Sequence, residues 1–167
     1  MAPKRQARPP AIAFLDLTGY TALTEERGDE AAAELADRLA TLVQQAAQLH
    51  GGHAVKWLGD GVMFYFSEPS AAVLSALDLV EQTPAAVDVR ARVGVNAGRV
   101  ISRDGDYFGR TVNVAARIVE YARPGEVLVS NEVKECSGSD GVRFEPIGPV
   151  ALKGLKEELT LHSATRS

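Results

Sequence analysis

The sequence predicts an α+β fold, a split βαβ sandwich whose antiparallel sheet carries helices mainly on one face. Three observations predict it. Strand-like and helix-like periods follow one another in the order β-α-β-β-α-β before further α and β segments. No stretch repeats and no internal linker interrupts the order. The 167 residues, 46% of them apolar, suit one compact domain with a core of ordinary size. This order is that of ferredoxin-like folds, in which two helices cover one side of the sheet.

Each element has its own signal. Residues 11 to 17, AIAFLDL, form a short apolar run that reads as a buried strand, and LTGYTALT then begins a short helical turn. In GDEAAAELADRLATLVQQAAQLHGG the residues Leu35, Leu39, Leu42, Ala46 and Leu49 recur at helical spacing, and Gly51-Gly52 supplies the stop. Val55 to Phe66 reads as a hairpin with Asp60-Gly61 at its turn, because glycine reaches positive φ freely and aspartate tolerates it. EPSAAVLSALDLVEQ is a second amphipathic helix, with Pro69 in its first turn, where a missing N–H costs little. From Val87 to Ala97 the apolar residues Val87, Val89, Ala91, Val93, Val95 and Ala97 alternate with Asp88, Arg90, Arg92 and Asn96, the pattern of a half-buried strand. A turn rich in Gly and Asp follows. Residues 109 to 122 then suit a helix, EVLVS a strand, and VRFEPIGPVALKGLKEELTLHSA a closing pair of short strands.

Composition removes several function classes. A net charge of −4, with 18 basic residues spread along the chain, gives no basic stripe and disfavours nucleic acid as partner. The single Cys136 has no disulfide partner and no His or Cys at metal spacing, which fits a reducing compartment. No apolar run approaches the roughly 20 residues of a membrane span and no leader pattern opens the chain, so a cytoplasmic protein without membrane contact is expected. The basic, proline-rich start MAPKRQARPP reads as a disordered lead-in over residues 1–10 rather than a nucleic-acid or membrane arm, leaving 11–163 as a single domain.

Functional candidates are the residues that break these patterns. Asp16 ends an apolar strand, where an unpaired carboxylate would cost several kcal/mol, so it requires a partner or a metal; the plain alternative is that it caps the next turn. The backbone N–H groups of the Thr18-Gly19-Tyr20 turn that follows would suit a metal-bound phosphate. In a split βαβ fold the first strand and the hairpin lie side by side, so Asp16 and Asp60 can meet. Two carboxylates repel unless a cation sits between them, and Mg²⁺-like ions take carboxylate and phosphate oxygens. Asn113 and Arg117 are i and i+4 on one helix face, above an apolar stripe of Val112, Ala115, Ala116 and Val119. A solvated face would explain that pair equally, and Lys153 and Arg99 alone could be ordinary strand-end cations.

Taken together, FLDLTGYT, KWLGDG, RVGVNAGRV, DYFGRTVNVAAR and LKG resemble, in order and approximate spacing, the class III nucleotidyl cyclase catalytic domain, over about residues 11 to 162. The resemblance implies an adenylate cyclase with a role in cyclic-nucleotide signalling, converting ATP to 3′,5′-cyclic AMP and pyrophosphate. Asp16 and Asp60 would hold two Mg²⁺ or Mn²⁺ ions per site, one promoting ionisation of the ribose 3′-hydroxyl and the other steadying the β- and γ-phosphates. Arg117 would stabilise the transition state, Asn113 orient the ribose, and Lys153 and Arg99 contact phosphates; no side chain is an evident general base. Lys56 and Asp106 match the family's base-reading pair. A lysine donor and a carboxylate acceptor suit adenine, whereas guanylyl cyclases generally place glutamate at the lysine position. Family sites form between two catalytic domains, and this chain carries both halves, which implies a homodimer with two equivalent sites. The rival readings are a guanylate cyclase and a catalytically weak nucleotide-binding or dimerisation module. Diguanylate cyclases and polymerase palms are disfavoured, because a GG-D/E-EF type loop is missing. The loop around KECSGSDG matches no functional element of the family.

Overall fold

The computed structural model describes residues 8–138 and 141–167. Most of the expected lead-in, residues 1–7, and two residues of the KECSGSDG loop, 139 and 140, lie outside the described residues.

The chain runs β1 (Ala11–Thr18), α1 (Tyr20–Arg27), α2 (Asp29–Leu49), β2 (His53–Leu58), β3 (Gly61–Phe66), α3 (Pro69–Val87), β4 (Arg90–Ala97), β5 (Ile101–Arg103), β6 (Asp106–Phe108), α4 (Arg110–Tyr121), β7 (Val127–Ser130), α5 (Asn131–Cys136), β8 (Val142–Val150) and β9 (Leu159–Arg166). Seven strands form one sheet in the order β2-β3-β1-β4-β7-β9-β8, and β5-β6 is a separate hairpin. Every pairing in the large sheet is antiparallel except β4 with β7, which the α4 crossover makes parallel. The expected α+β architecture is therefore present, with that one exception to the antiparallel pattern.

Alternation along β1 separates two cores. Ala11, Ala13, Leu15 and Leu17 pack with Leu35, Leu39 and Val43 of α2 and with Ala72, Val73 and Ala76 of α3. Ile12 and Phe14 face the other way, against Met63 and against Ala115 and Val119 of α4. Two helices thus cover one face as expected, and α4 lies on the opposite one. With both faces covered, β4 is a central strand rather than a half-exposed one, and Asn96 in its polar row is buried, donating to the Thr111 carbonyl at 3.2 Å.

Boundaries differ from expectation where helix geometry overrides local signals. α3 continues past Gln82, through Pro84, to Val87, and ends where Asp88 adopts φ 57° and its N–H bonds the Pro84 carbonyl at 3.0 Å. Val87 is thus a helix residue and the strand begins at Arg90. On α2 the buried stripe is Leu35, Leu39, Val43, Ala46 and Ala47, while Leu49 is 74% exposed. The closing strands are long, and β9 continues beyond residue 163 to Arg166, whose guanidinium pairs with Asp78 and Glu81 of α3.

Both edges of the large sheet are irregular. The β2 edge shifts register between Ala54 and Lys56, and the β8 edge shifts between Pro146 and Gly148, with a second proline at Pro149.

Candidate active site

β1 presents Asp16 on the α4 face, opposite Gly61 of β3 and Arg92 of β4. The carboxylate has a partner: Arg92 Nε and Nη2 donate to Asp16 Oδ2 at 3.0 and 2.7 Å. Arg92 Nη1 donates in turn to the Glu120 and Ala122 carbonyls at 3.1 and 3.0 Å, tying Asp16 to the end of α4. Asp16 caps nothing, since Gly19 is the N-cap of α1 and no side chain bonds there.

Asp60 stands in the β2–β3 turn. The positive φ of that turn belongs to Gly59, at 61°, and not to the Asp60-Gly61 step expected to carry it. The Asp60 carbonyl accepts the Leu17 N–H at 3.0 Å, and Asp60 Oδ2 accepts from Thr21 Oγ1 at 2.5 Å. Because Asp16 pairs across the strands with Gly61, the residue next to Asp60, the fold brings the two aspartates to neighbouring backbone positions. Gly61 keeps that place narrow: a Cβ there would sit 2.8 Å from the Leu15 carbonyl oxygen and 3.9 Å from Asp16 Oδ1. Two carboxylates with hydroxyl and backbone groups around them form an oxygen-only donor set, which fits a hard divalent ion that keeps its remaining sites for water and phosphate. Among the described residues no larger group of His, Cys, Asp or Glu could hold a metal.

The Thr18-Gly19-Tyr20 turn adjoins this pair. Gly19 takes φ 77°, so the chain leaves β1 and enters α1 in one step, with the first-turn N–H groups of α1 free of helical partners. Burial, and then the charge of Asp60, push the Tyr20 hydroxyl pKa up.

A second group lies at β2 and β6. Lys56 Nζ donates to Asp106 Oδ2 at 2.7 Å, and Asp106 Oδ1 accepts the Tyr107 N–H at 2.8 Å. The hydrogen bond from Lys56, followed by that from Tyr107, holds the Asp106 carboxyl below its ordinary value.

On α4, Asn113 is exposed and Arg117 half-buried, as one outward face. The buried stripe beneath them is Thr111, Val114, Ala115, Ile118 and Val119, turned slightly from the expected one, with Val112 and Ala116 only partly covered. Arg117 Nη1 reaches both Glu120 carboxylate oxygens at 3.2–3.3 Å. The Lys153-Gly154 turn borders it: a Cβ on Gly154 would lie 3.8 Å from Arg117 Nε and Nη2.

Arg99 stands apart from the aspartate pair, and its carbonyl accepts from Thr111 Oγ1 in the first turn of α4 at 2.7 Å. It follows the end of β4, where Ala97 pairs with Ala11 at the start of β1, whereas Asp16 pairs with Arg92. At about 3.3 Å per residue, the seven residues from Arg92 to Arg99 span roughly 23 Å. The cation on Asp16 is Arg92, which periodicity alone had assigned to a solvated row. The available signal was its position directly across from Asp16 once β1 and β4 are set side by side.

These features agree with three comparisons. The model of the adenylate and guanylate cyclase catalytic domain matches residues 3–164. A pH-sensitive adenylate cyclase of Mycobacterium tuberculosis is 37% identical over 165 residues, 96% of this chain and 41% of that protein, and an adenylate cyclase of Streptomyces coelicolor is 36% identical over 126 residues, 75% and 33%. The chain spans less than half the length of either relative. The crystal structure of the adenylyl cyclase CyaB from P. aeruginosa superposes with a TM-score of 0.83 at 25% identity, covering 95% of this chain and 94% of that one.

Proposed function

The chain belongs to the adenylate and guanylate cyclase catalytic-domain family, and from that premise we propose that it is an adenylate cyclase, forming 3′,5′-cyclic AMP and pyrophosphate from ATP at sites shared by two copies of the chain. The observation that carries the choice of ATP is the Lys56–Asp106 pair at 2.7 Å. It sets an N–H donor beside a carboxylate acceptor. Adenine's edge offers an acceptor at N1 and a donor at its amino group, which matches that pair; guanine's edge has the opposite polarity.

Asp16 and Asp60 would hold Mg²⁺ or Mn²⁺. Such ions, when bound, supply positive charge to the triphosphate and lower the pKa of the ribose 3′-hydroxyl. The chain's own residues do the rest. The 3′-oxygen forms a bond to the α-phosphorus while the bond from that phosphorus to the bridging oxygen of the β-phosphate breaks, and pyrophosphate leaves with the electron pair. The hydroxyl proton passes to solvent. Charge grows on phosphate oxygens, so fixed donors are required. Lys153 and Arg99 contact phosphate, Arg117 meets the charge that develops at the α-phosphate, Asn113 orients the ribose, and Arg92 holds the Asp16 carboxylate in place. The free N–H groups after Gly19 are suited to the outer phosphates. Asn113 and Arg117 point away from their own sheet, and this outward face supports a site completed by a second copy.

The test is turnover of ATP and GTP in parallel with Mn²⁺ and with Mg²⁺. Cyclic AMP and pyrophosphate are expected, with cyclic GMP minor. Intact ATP under both metals at high protein concentration would overturn the reading. Asp16→Ala and Asp60→Ala should each abolish turnover, and Lys56→Glu should shift the ATP/GTP ratio toward GTP.

A further inference from the structure

Asp106 belongs to the β5–β6 hairpin, which shares no strand ladder with the seven-stranded sheet that carries Lys56. The hairpin is internally well defined. Asp104 and Gly105 both take positive φ, 53° and 78°, the arrangement of a tight two-residue turn whose twist matches its strands, and the pairs Arg103–Asp106, Ser102–Tyr107 and Ile101–Phe108 close it. Its two strands are therefore fixed to each other, and the position of Asp106 depends on what seats the hairpin against α4, into which it runs, and against the large sheet. The Lys56–Asp106 bond is a poor fastener, because its lysine is 40% exposed and rides on a flexible four-carbon stem. A second contact crosses the same gap. The rings of Tyr65 on β3 and Tyr107 on β6 stack with centroids 4.4 Å apart and planes 8° from parallel. Both pack against the core of Ile12, Phe14, Met63, Ala115 and Val119. His53, paired with Tyr65 across β2 and β3, borders both rings at 5.6 and 6.3 Å. Tyr107 follows Asp106 directly and its main-chain N–H donates to that carboxylate, so seating the ring also seats the backbone that holds the acceptor. Partial burial, and then Tyr65, raise the Tyr107 hydroxyl pKa.

We propose that the Tyr65–Tyr107 stack is the positioning device of the purine-reading pair, holding Asp106 at Lys56 and thereby setting the preference for ATP over GTP. The inference rests on the adenylate cyclase reading above. Loss of either ring leaves Lys56, the aspartates and α4 in place and frees the hairpin, so discrimination falls while the chemistry at the α-phosphate persists.

The test compares wild type with Tyr65→Leu, Tyr107→Leu and Tyr107→Phe, reading turnover and equilibrium binding of ATP and GTP. Each leucine variant should raise the KM for ATP about tenfold, leave kcat within about twofold, and lower the ATP/GTP ratio of kcat/KM about tenfold. Tyr107→Phe, which keeps the ring, should restore wild-type values. In an Asp106→Ala background Tyr107→Leu should change the ratio no further, because the group it positions is gone. A folded leucine variant with unchanged KM and ratio overturns the proposal, as does a ratio that falls equally in the Asp106→Ala background. Should the leucine variants fail to fold, Tyr107→Met, of similar volume and without a ring plane, takes their place with the same two outcomes. A wild type that binds ATP selectively and makes no cyclic AMP sinks the enzyme reading alone; the binding ratio of the variants then decides for or against the stack.

Discussion

The guanidinium of Arg92 divides its donors between a carboxylate and two main-chain carbonyls, and a lysine reaches one of these and not the others. Arg92→Ala strands the Asp16 carboxylate and the Glu120 and Ala122 carbonyls together, a loss of about 1–3 kcal/mol. For a chain of this length that lowers Tm by about 2–12 °C, and cyclic AMP formation should fall with it; scanning fluorimetry and the turnover assay check both. His162 offers a pH test. Its Nε2 bonds Asn131 Oδ1 at 3.0 Å, and its Nδ1 is buried with no partner. Burial, and then the charge of Lys134, pull its pKa below the ordinary 6.5. The unfolded chain therefore takes the proton first as pH falls, and stability should decline from about pH 6.5 downward. Tm recorded from about pH 7.5 to about pH 5 should fall less steeply in His162→Gln than in wild type. Asp16 was legible in the sequence as a charge at the end of an apolar strand, and Asp60 as the turn carboxylate that a split βαβ order sets beside it. Arg92 was not, because alternation shows which residues share a face and is silent about whether a later helix will cover it.

That later helix is α4, and one glycine sets how closely it lies. Gly94 falls in the same row of β4 as Arg92 and Asn96. A Cβ there would meet Val119 N at 2.4 Å and Val119 Cα at 2.8 Å, which are backbone atoms that no side-chain rotation can move. Gly94→Ala should push α4 off the sheet, costing about 1–3 kcal/mol. Activity should drop further than stability, since α4 carries Asn113 and Arg117; Tm and kcat measured on the same preparation separate the two effects. Elements with strong periods, β1, α2 and β3, were readable from sequence. α5 was not, being a six-residue helix capped by the Ser130 hydroxyl within a polar segment. α3 runs beyond the expected Gln82 because burial of its last turn through Val87 outweighs the donor that Pro84 removes.

At the scale of the molecule, mixing of variants tests whether the site is shared by two copies of the chain. Asp60→Ala and Arg117→Ala chains are each expected to be inactive. If the site is shared, equal mixing makes half of the dimers heterologous, with one of their two sites intact, so recovery should approach about a quarter of wild-type activity. No recovery after proven exchange of chains would exclude the shared site. The sheet edges bear on the same question from a different side. Pro146 and Pro149 remove two N–H groups from β8, its register slips between Pro146 and Gly148, and β2 slips between Ala54 and Lys56. Neither rim offers a straight, uninterrupted row of main-chain donors and acceptors to a neighbour. A chain built this way should resist zipping into open-ended, fibre-like stacks even when crowded, so its self-association stays a closed, reversible event read by side chains, and activity lost on dilution should return on concentration.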